Sequence, residues 1–293
     1  MKVLSIKRYV SHKKDGFNYS DVSSKSPLGI GPSEMVLIGA IVLGIIITAL
    51  SFWYFERPRG LLVEIHNQEA HVIGYGGRKD HIVIPDYYEG IPITAIKANA
   101  FEGDTHLTEV TLNNYMKHLE SEVFKNSDLD TLNIVDESVL TRIGNNAFYG
   151  TPFLENIKQD SMYIVGRVII GYDVFLEETF TIPQEILGIG DYAFKDNETI
   201  ETIHVNEDLR VIGQYSFSNM KNLVSIHFPF HSEINIIEAY AFKDSTNLAE
   251  VNGPVESDVS RIGNNAFKNT IFRANEPSQY YQFGNIRVEE PIE

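Results

Sequence analysis

His204 and His227 are the two residues in this sequence whose type and spacing best suit chemistry. They lie 23 residues apart, and each stands between two apolar residues in a short alternating segment. Two neutral imidazoles held side by side could share a metal ion or change charge near neutral pH. The equivalent positions of neighbouring segments hold Asn133 and Asn252, which provide no obvious third ligand. We therefore expect no metal site and interpret the histidines as a solvated polar pair.

Motifs for other kinds of catalysis are absent from the sequence. It contains no phosphate-binding G-x-x-x-x-G-K-[ST] loop, no H-E-x-x-H zinc motif and no G-x-S-x-G nucleophile elbow. Cysteine is absent, which excludes a disulfide framework, a thiolate metal site and a cysteine nucleophile. The glycines from Gly74 to Gly77 lack the spacing of a dinucleotide loop, and we interpret them as a turn. The sequence thus predicts a protein that is not an enzyme and binds no cofactor.

An internal repeat must position the two histidines. Seven segments share an aliphatic residue five positions before a phenylalanine, and four of them have a glycine after the aliphatic residue, which predicts a tight backbone turn. The segments are Ile96–Phe101, Leu119–Phe124, Ile143–Phe148, Ile189–Phe194, Ile212–Phe217, Ile237–Phe242 and Ile262–Phe267. Their phenylalanines recur every 23 to 25 residues, except for one interval of 46 that leaves an irregular slot. No unit could bury these side chains alone, so we expect stacked units with internal ladders.

A second pattern follows most of the phenylalanines and predicts a short strand. It first reads Leu107-x-x-Val110-x-Leu112, and its last three positions alternate apolar, polar, apolar. The polar residues beside the buried positions would share one exposed, concave sheet face, where solenoids usually bind partners. This set, the strand face, comprises Glu109, Thr111, Asn133, Thr202, His204, Ser225, His227, Glu250 and Asn252. A sheet face that is merely solvated is the alternative interpretation.

Three of the segments carry a family resemblance. Ile143–Phe148, Ile189–Phe194 and Ile262–Phe267 read I-G-N-N-A-F, I-G-D-Y-A-F and I-G-N-N-A-F. They resemble the leucine-rich repeats of the BspA-like bacterial surface proteins, and Ile82-Val-Ile-Pro85 resembles the usual start of such an array. The resemblance covers residues 62–293. It implies a curved leucine-rich-repeat solenoid, mainly β strands with short turns or 3-10 segments, that serves adhesion or the binding of partner proteins.

The array has two expected ends and one interruption. We predict an N-terminal cap over residues 62–90, leucine-rich repeats over residues 91–270 and a C-terminal cap over residues 271–293. Residues 149–180 break the period, and two short apolar runs around Gly166 predict a hairpin insertion there. The C-terminal cap is expected to reuse this module, so that its hairpin covers the last open repeat.

Residues 34–56 are predicted to form a single transmembrane α-helix. Met35–Phe55 contains no charged residue, and its 21 residues would span roughly the 30 Å of a bilayer core as a helix. A cleaved signal peptide is the alternative, although its apolar core is normally shorter. The excess of Lys and Arg before this run places residues 1–33, a disordered basic tail, in the cytoplasm. The same rule places residues 56–293 outside the cell, held at the cell membrane by residues 35–55.

Charge narrows the choice of partner. The formal net charge is −16, and the chain beyond its basic tail is more acidic still, so repulsion argues against nucleic-acid binding. We therefore predict a membrane-anchored extracellular binding or adhesion module that recognises a protein or glycan partner. The alternative is a structural scaffold or accessory subunit of a cell-envelope complex. The oligomeric state and the cell that carries the partner stay open.

Overall fold

The computed structural model describes residues 36–45, 60–135, 138–158, 162–172, 177–254, 256–257, 259–274, 280–284 and 286–289. The chain divides into two compact units, Met1–Phe55 and Glu56–Glu293.

The first unit contains one described helix, α1, at residues 36–45, and every side chain of α1 is exposed. Among the described residues, no helix combines the length and the apolar character that a bilayer crossing needs. The remainder of the predicted transmembrane helix at 34–56 lies outside the described residues, as does the predicted tail at residues 1–33.

The second unit consists mainly of short strands joined by turns. Its strands in the first part of the chain are β1 (Leu61–His66), β2 (Glu69–Tyr75), β3 (His81–Val83), β4 (Tyr87–Tyr88), β5 (Ile91–Ile96), β6 (Glu109–Thr111), β7 (His118–Leu119), β8 (Thr131–Asn133) and β9 (Arg142–Ile143). Helix α2 (Pro152–Ile157) and strands β10 (Met162–Val165) and β11 (Val168–Tyr172) follow. The next strands are β12 (Thr179–Thr181), β13 (Gly188–Ile189), β14 (Thr202–His204), β15 (Val211–Ile212), β16 (Ser225–His227), β17 (His231–Ser232), β18 (Ile236–Ile237), β19 (Glu250–Asn252), β20 (Glu256–Ser257) and β21 (Arg261–Ile262). Helix α3 (Ile271–Ala274) and strands β22 (Tyr280–Phe283) and β23 (Ile286–Glu289) complete the unit.

Two ladders of parallel strands run along the array. One contains the aliphatic residue of each segment and has the order β2-β5-β7-β9, then β11-β13-β15-β18-β21. The other contains the strand face and has the order β3-β6-β8, then β12-β14-β16-β19. Most turns of the chain thus add one strand to each ladder, and helix α2 takes the place of a strand of the second ladder after Phe148. The predicted solenoid of stacked repeats is confirmed.

The phenylalanines of successive turns stack on one another. Phe101, Phe124 and Phe148 form one run, with neighbouring ring centroids 5.1 and 5.7 Å apart. Phe194, Phe217, Phe242 and Phe267 form a second run, with separations of 5.1, 5.3 and 4.9 Å. All seven rings are buried, and their nearly parallel planes add aromatic attraction to apolar burial.

The glycine after the aliphatic residue has a different role from the one that the sequence predicts. The left-handed backbone conformation occurs two residues later, at Asn146 (φ 54°) and Tyr215 (φ 54°) for example. Gly213 instead packs against the preceding turn of the solenoid, and a Cβ there would lie 2.7 Å from the carbonyl carbon of Gly190. The glycine therefore permits close stacking of successive turns rather than an unusual turn conformation.

Helices α2 and α3 have similar surroundings, because each follows the last phenylalanine of a stacked run. The Oγ1 atoms of Thr151 and Thr270 each donate to the carbonyl of the last stacked phenylalanine, in both cases at 2.7 Å. Each hydroxyl oxygen also accepts an N–H from the residue three positions later, at 3.1 Å. Phe153 then packs on Phe148 and Phe272 packs on Phe267, at centroid distances of 5.0 and 5.1 Å.

A hairpin follows each of these helices, but the two hairpins have different surroundings. Strands β10 and β11 are antiparallel around Gly166 (φ 60°), and β11 then pairs in parallel with β13. The internal hairpin therefore continues the ladder. Strands β22 and β23 are also antiparallel, and Phe283 of β22 is buried against Phe228 and Phe267. The terminal hairpin covers the end of the core.

The internal hairpin joins two separate hydrophobic cores. Residues 60–158 form the first half of the solenoid, and residues 177–289 form the second half. Val165 and Val168 of the hairpin belong to the first core, whereas Ile169 belongs to the second. The halves also meet directly, because the N–H of Asp191 donates to the carbonyl of Ile143 at 3.0 Å.

Candidate functional site

The strand face is assembled from corresponding positions of successive turns. In the second half, strand register sets His204 opposite His227, and His227 opposite Asn252. Thr202, Ser225 and Glu250 form a parallel row on the same strands. In the first half, Glu109, Thr111 and Asn133 occupy the corresponding rows of β6 and β8. The strand face thus has one part in each half.

The two histidines stack against each other. Their ring centroids lie 5.1 Å apart with an angle of 22° between the planes. The Nδ2 of Asn252 lies 2.8 Å from the Nδ1 of His227, so a hydrogen bond joins the two side chains. His204 and Asn252 are exposed and His227 is half-buried. This row therefore places polar donors and acceptors on the exposed face of the sheet.

Across the described residues, no group of three or more His, Asp or Glu side chains is arranged to hold a metal ion. The paired imidazoles are used for mutual stacking and for the contact with Asn252.

Ser225 differs from its neighbours on the strand face. Only 6% of this residue is exposed, and its hydroxyl lies 3.0 Å from the hydroxyl of Thr202. The sequence predicts an exposed side chain here because Ser225 alternates with buried residues along the strand. A short side chain between longer neighbours is instead covered by them, so Glu250 is the more accessible member of this row.

The first-half part of the strand face is an interconnected polar cluster. The Nδ2 of Asn133 donates to Glu109 Oε1 at 2.7 Å and to Thr111 Oγ1 at 3.2 Å. His81 extends the cluster, since its Nε2 lies 3.4 Å from Thr111 Oγ1 and 3.9 Å from Glu109 Oε1. Sequence reasoning missed His81, although His81-Ile-Val83 has the alternation of the other strands.

Comparison with known protein families agrees with the repeated turns seen in the fold. A family model described as the BspA type leucine rich repeat region matches residues 80–177 and 170–278, in six copies. The chain belongs to the BspA-type leucine-rich-repeat family. No curated protein is similar enough to count as a match.

Several solved structures are similar to this BspA-type chain. The T. pallidum leucine rich repeat protein TpLRR is 18% identical, with 73% of this chain and 88% of that chain covered and a TM-score of 0.34. The pneumococcal vaccine antigen PcpA is 15% identical over 70% of this chain and 77% of that chain, with a TM-score of 0.31. A leucine rich cell surface protein from Faecalibacterium prausnitzii is 20% identical over 79% and 57%, with a TM-score of 0.33.

Charged residues of the BspA-type array also meet where its two halves join. Glu238 is buried, and its Oε1 accepts from Arg142 Nη2 at 2.6 Å and from Arg261 Nη2 at 2.5 Å. Asp191 lies nearby, and burial raises the pKa of its carboxyl from 3.8 to about 6. Sequence reasoning missed this cluster because Arg142 and Glu238 belong to different halves and share no motif.

Proposed function

We propose that this chain is a membrane-anchored extracellular module that binds a protein or glycan partner through the strand face. The observation that carries the proposal is the row His204, His227 and Asn252, which presents polar groups in register on successive strands. The role that we propose is binding and not catalysis. The BspA-type repeat is a general protein-interaction or adhesion fold, which supports this role.

The chemistry of the strand face favours a polar partner surface. Imidazole, amide and carboxylate groups of His204, Asn252 and Glu250 are exposed and can donate to and accept from hydroxyl, amide or backbone groups. The short strands hold these groups at fixed spacing, which reduces the entropy lost when a partner binds. Arrays of this kind usually recognise partners along such a surface.

Residues 35–55 are the proposed anchor of the module. They carry no charge, and the described part of this run, helix α1, exposes large apolar side chains such as Val36, Leu37 and Ile45. Exposed apolar side chains along a whole helix are stabilised by an apolar environment. The basic residues before the run support a cytoplasmic N-terminus and an extracellular repeat array.

Site-specific photocrosslinking on intact cells tests the binding role. A photoreactive residue at Asn252, on the strand face, is compared with one at Tyr149, which is 58% exposed and follows a stacked phenylalanine. We expect a discrete crosslinked product from position 252 and a much weaker one from position 149. Equal products at both positions, or none at position 252, would exclude the strand face as the binding surface.

The identity of the crosslinked partner separates the two candidate roles. An adhesion module captures protein or glycan from another cell or from a host surface. A cell-envelope scaffold or accessory subunit captures proteins of the cell that makes it. Mixing isotopically labelled cells that carry the photoreactive chain with unlabelled cells shows the partner's origin by mass spectrometry.

Protease treatment of intact cells tests the anchor and its orientation. We expect the repeat array to be released or degraded while an epitope at the N-terminus stays protected. Protection of the whole array would place it on the cytoplasmic side and exclude the extracellular role.

A further inference from the structure

A groove separate from the strand face lies between the two halves of the solenoid. Its volume is about 650 Å³, and its walls come from β2, β5, β7 and β9 of the first half and from β15 and β18 of the second. These strands belong to the other ladder, which carries the aliphatic residues of the repeat. The groove exists because the internal hairpin sets the second half against the first.

Three cationic side chains line the groove, and two of them are neutralised. Lys117 donates to Glu69 at 2.8 Å, and Arg142 donates to Glu238 at 2.6 Å. Arg210 is exposed, and within the described part of the chain no hydrogen bond or ion pair engages its guanidinium group. Its planar fork of N–H donors is therefore available to an anion.

Two histidines add polar groups to the lining. Burial lowers the pKa of His118 to about 4, and the neighbouring Arg142 acts in the same direction, so this imidazole is neutral at neutral pH. His71 also lines the groove, and its buried Nδ1 lacks a hydrogen-bond partner among the described residues. The nearest carboxylates to the His71 ring are those of Glu64, 4.0 Å from Nδ1, and Glu69, 3.8 Å from Nε2.

Apolar side chains complete the lining. Val139, Val211 and Ile236 face the groove together with the methyl group of Ala95. Apolar walls favour a ligand with an apolar body over an inorganic ion.

We propose that this groove binds a small organic carboxylate, which pairs with Arg210 while its apolar body packs on Val139 and Ile236. Arg210, whose guanidinium has no partner among the described residues, favours an anionic ligand, and the apolar walls favour an apolar body. The site is independent of the strand face and of the partner proposed above.

A fluorinated probe pair tests this site on the full chain in detergent micelles. We expect 4-fluorobenzoate to show saturable binding by fluorine NMR, and the neutral 4-fluorobenzamide to bind at least about tenfold more weakly, since a charged hydrogen bond is worth roughly 1.4 kcal/mol or more. The substitution Arg210→Gln should weaken benzoate binding by about the same factor. Arg210 is exposed, so this variant retains the packing of the array.

The matched control is Arg78→Gln, which removes an exposed arginine from the loop after β2, outside the groove. We expect this control to bind benzoate like the unchanged chain. Absence of saturable benzoate binding below about 10 mM, equal binding of the benzamide, or equal loss in both arginine variants would overturn the proposal. Crosslinking from position 252 should be unchanged in Arg210→Gln, which separates this test from that of the strand face.

Discussion

Arg142 in the first half of the solenoid donates to the buried carboxylate of Glu238 in the second half, at 2.6 Å. Only 3% of the Glu238 side chain is exposed, and a carboxylate so far from water requires cationic partners. Arg261, from the turn after Glu238, provides the second partner at 2.5 Å. One acidic side chain thus holds together two parts of the molecule that have separate cores.

Replacing Arg142 should weaken the junction between the halves. We expect Arg142→Met to lower the free energy of unfolding by about 2 kcal/mol, because Glu238 then keeps only one of its cationic partners. Urea denaturation followed by circular dichroism measures the loss. Hydrogen exchange should also be faster at the N–H of Asp191, which bonds across the junction to Ile143.

The matched variant for this experiment is Arg261→Met. It removes the other arginine from the same carboxylate but leaves the contact between the halves in place. We expect a comparable loss of stability without faster exchange at Asp191. Equal exchange in both variants would show that Arg142 does not hold the halves together.

The stacked phenylalanines predict that the stability lost on substitution depends on where the ring lies in its stack. Phe217 stacks on both Phe194 and Phe242, whereas among the described residues Phe101 stacks only on Phe124. Each aromatic pair is worth about 1 kcal/mol beyond its buried area, so Phe217→Leu should cost about 1 kcal/mol more than Phe101→Leu. Calorimetric or denaturant unfolding measures both. Equal losses would show that area alone stabilises the stacks.

Close stacking of turns predicts that alanine destabilises the chain at one glycine and is tolerated at another. The substitution Gly213→Ala puts a Cβ 2.7 Å from backbone of the preceding turn and should cost about 3 kcal/mol. Gly74→Ala meets its nearest atom at 3.5 Å, an ordinary contact, and should change stability by less than about 0.5 kcal/mol. Tolerance of alanine at position 213 would contradict the role of this glycine in stacking.

The raised pKa of Asp191 predicts a pH-dependent gain in stability on substitution. The pKa of the Asp191 carboxyl is about 6 in the folded chain instead of 3.8, so the folded chain binds this proton more tightly than the unfolded chain does. The stability that comes from binding the proton is present below pH 3.8 and is lost as the pH rises through 6. At pH 7.5 the ionised carboxylate should cost up to about 3 kcal/mol. The substitution Asp191→Asn keeps an oxygen to accept the N–H of Gln214 and should stabilise the chain at pH 7.5 but not at pH 4.

The lowered pKa of His118 predicts that stability falls as the pH is lowered, which is opposite to the effect of Asp191. The folded pKa is about 4 instead of 6.5, so the unfolded chain binds this proton more readily and stability falls as the pH drops from 6.5 to 4. We expect His118→Gln to flatten this fall by up to about 3 kcal/mol. Unfolding measured at intervals between pH 4 and pH 7.5 checks the slope. A variant with the slope of the unchanged chain would exclude His118 as its source.

The repeat period of the sequence predicts the contacts that recur in every turn of the solenoid. It does not predict contacts that form only where the two halves meet. The spacing of Ile212 and Phe217 and their counterparts predicts the ladders, because a side chain in a stack needs the same neighbour in every turn. The same register places His204 beside His227. Burial of Ser225 depends on the size of its neighbours, and the pairing of Arg142 with Glu238 depends on how the hairpin orients the second half. The repeat period of the sequence predicts neither of these features.

The interruption of the phenylalanine stack has a mechanical consequence. A solenoid with one uninterrupted stack resists tension as a single body, whereas this one has two stacks whose cores are linked by a hairpin. A chain stretched between its two ends should therefore extend in two separate steps, with one half yielding while the other keeps its shape.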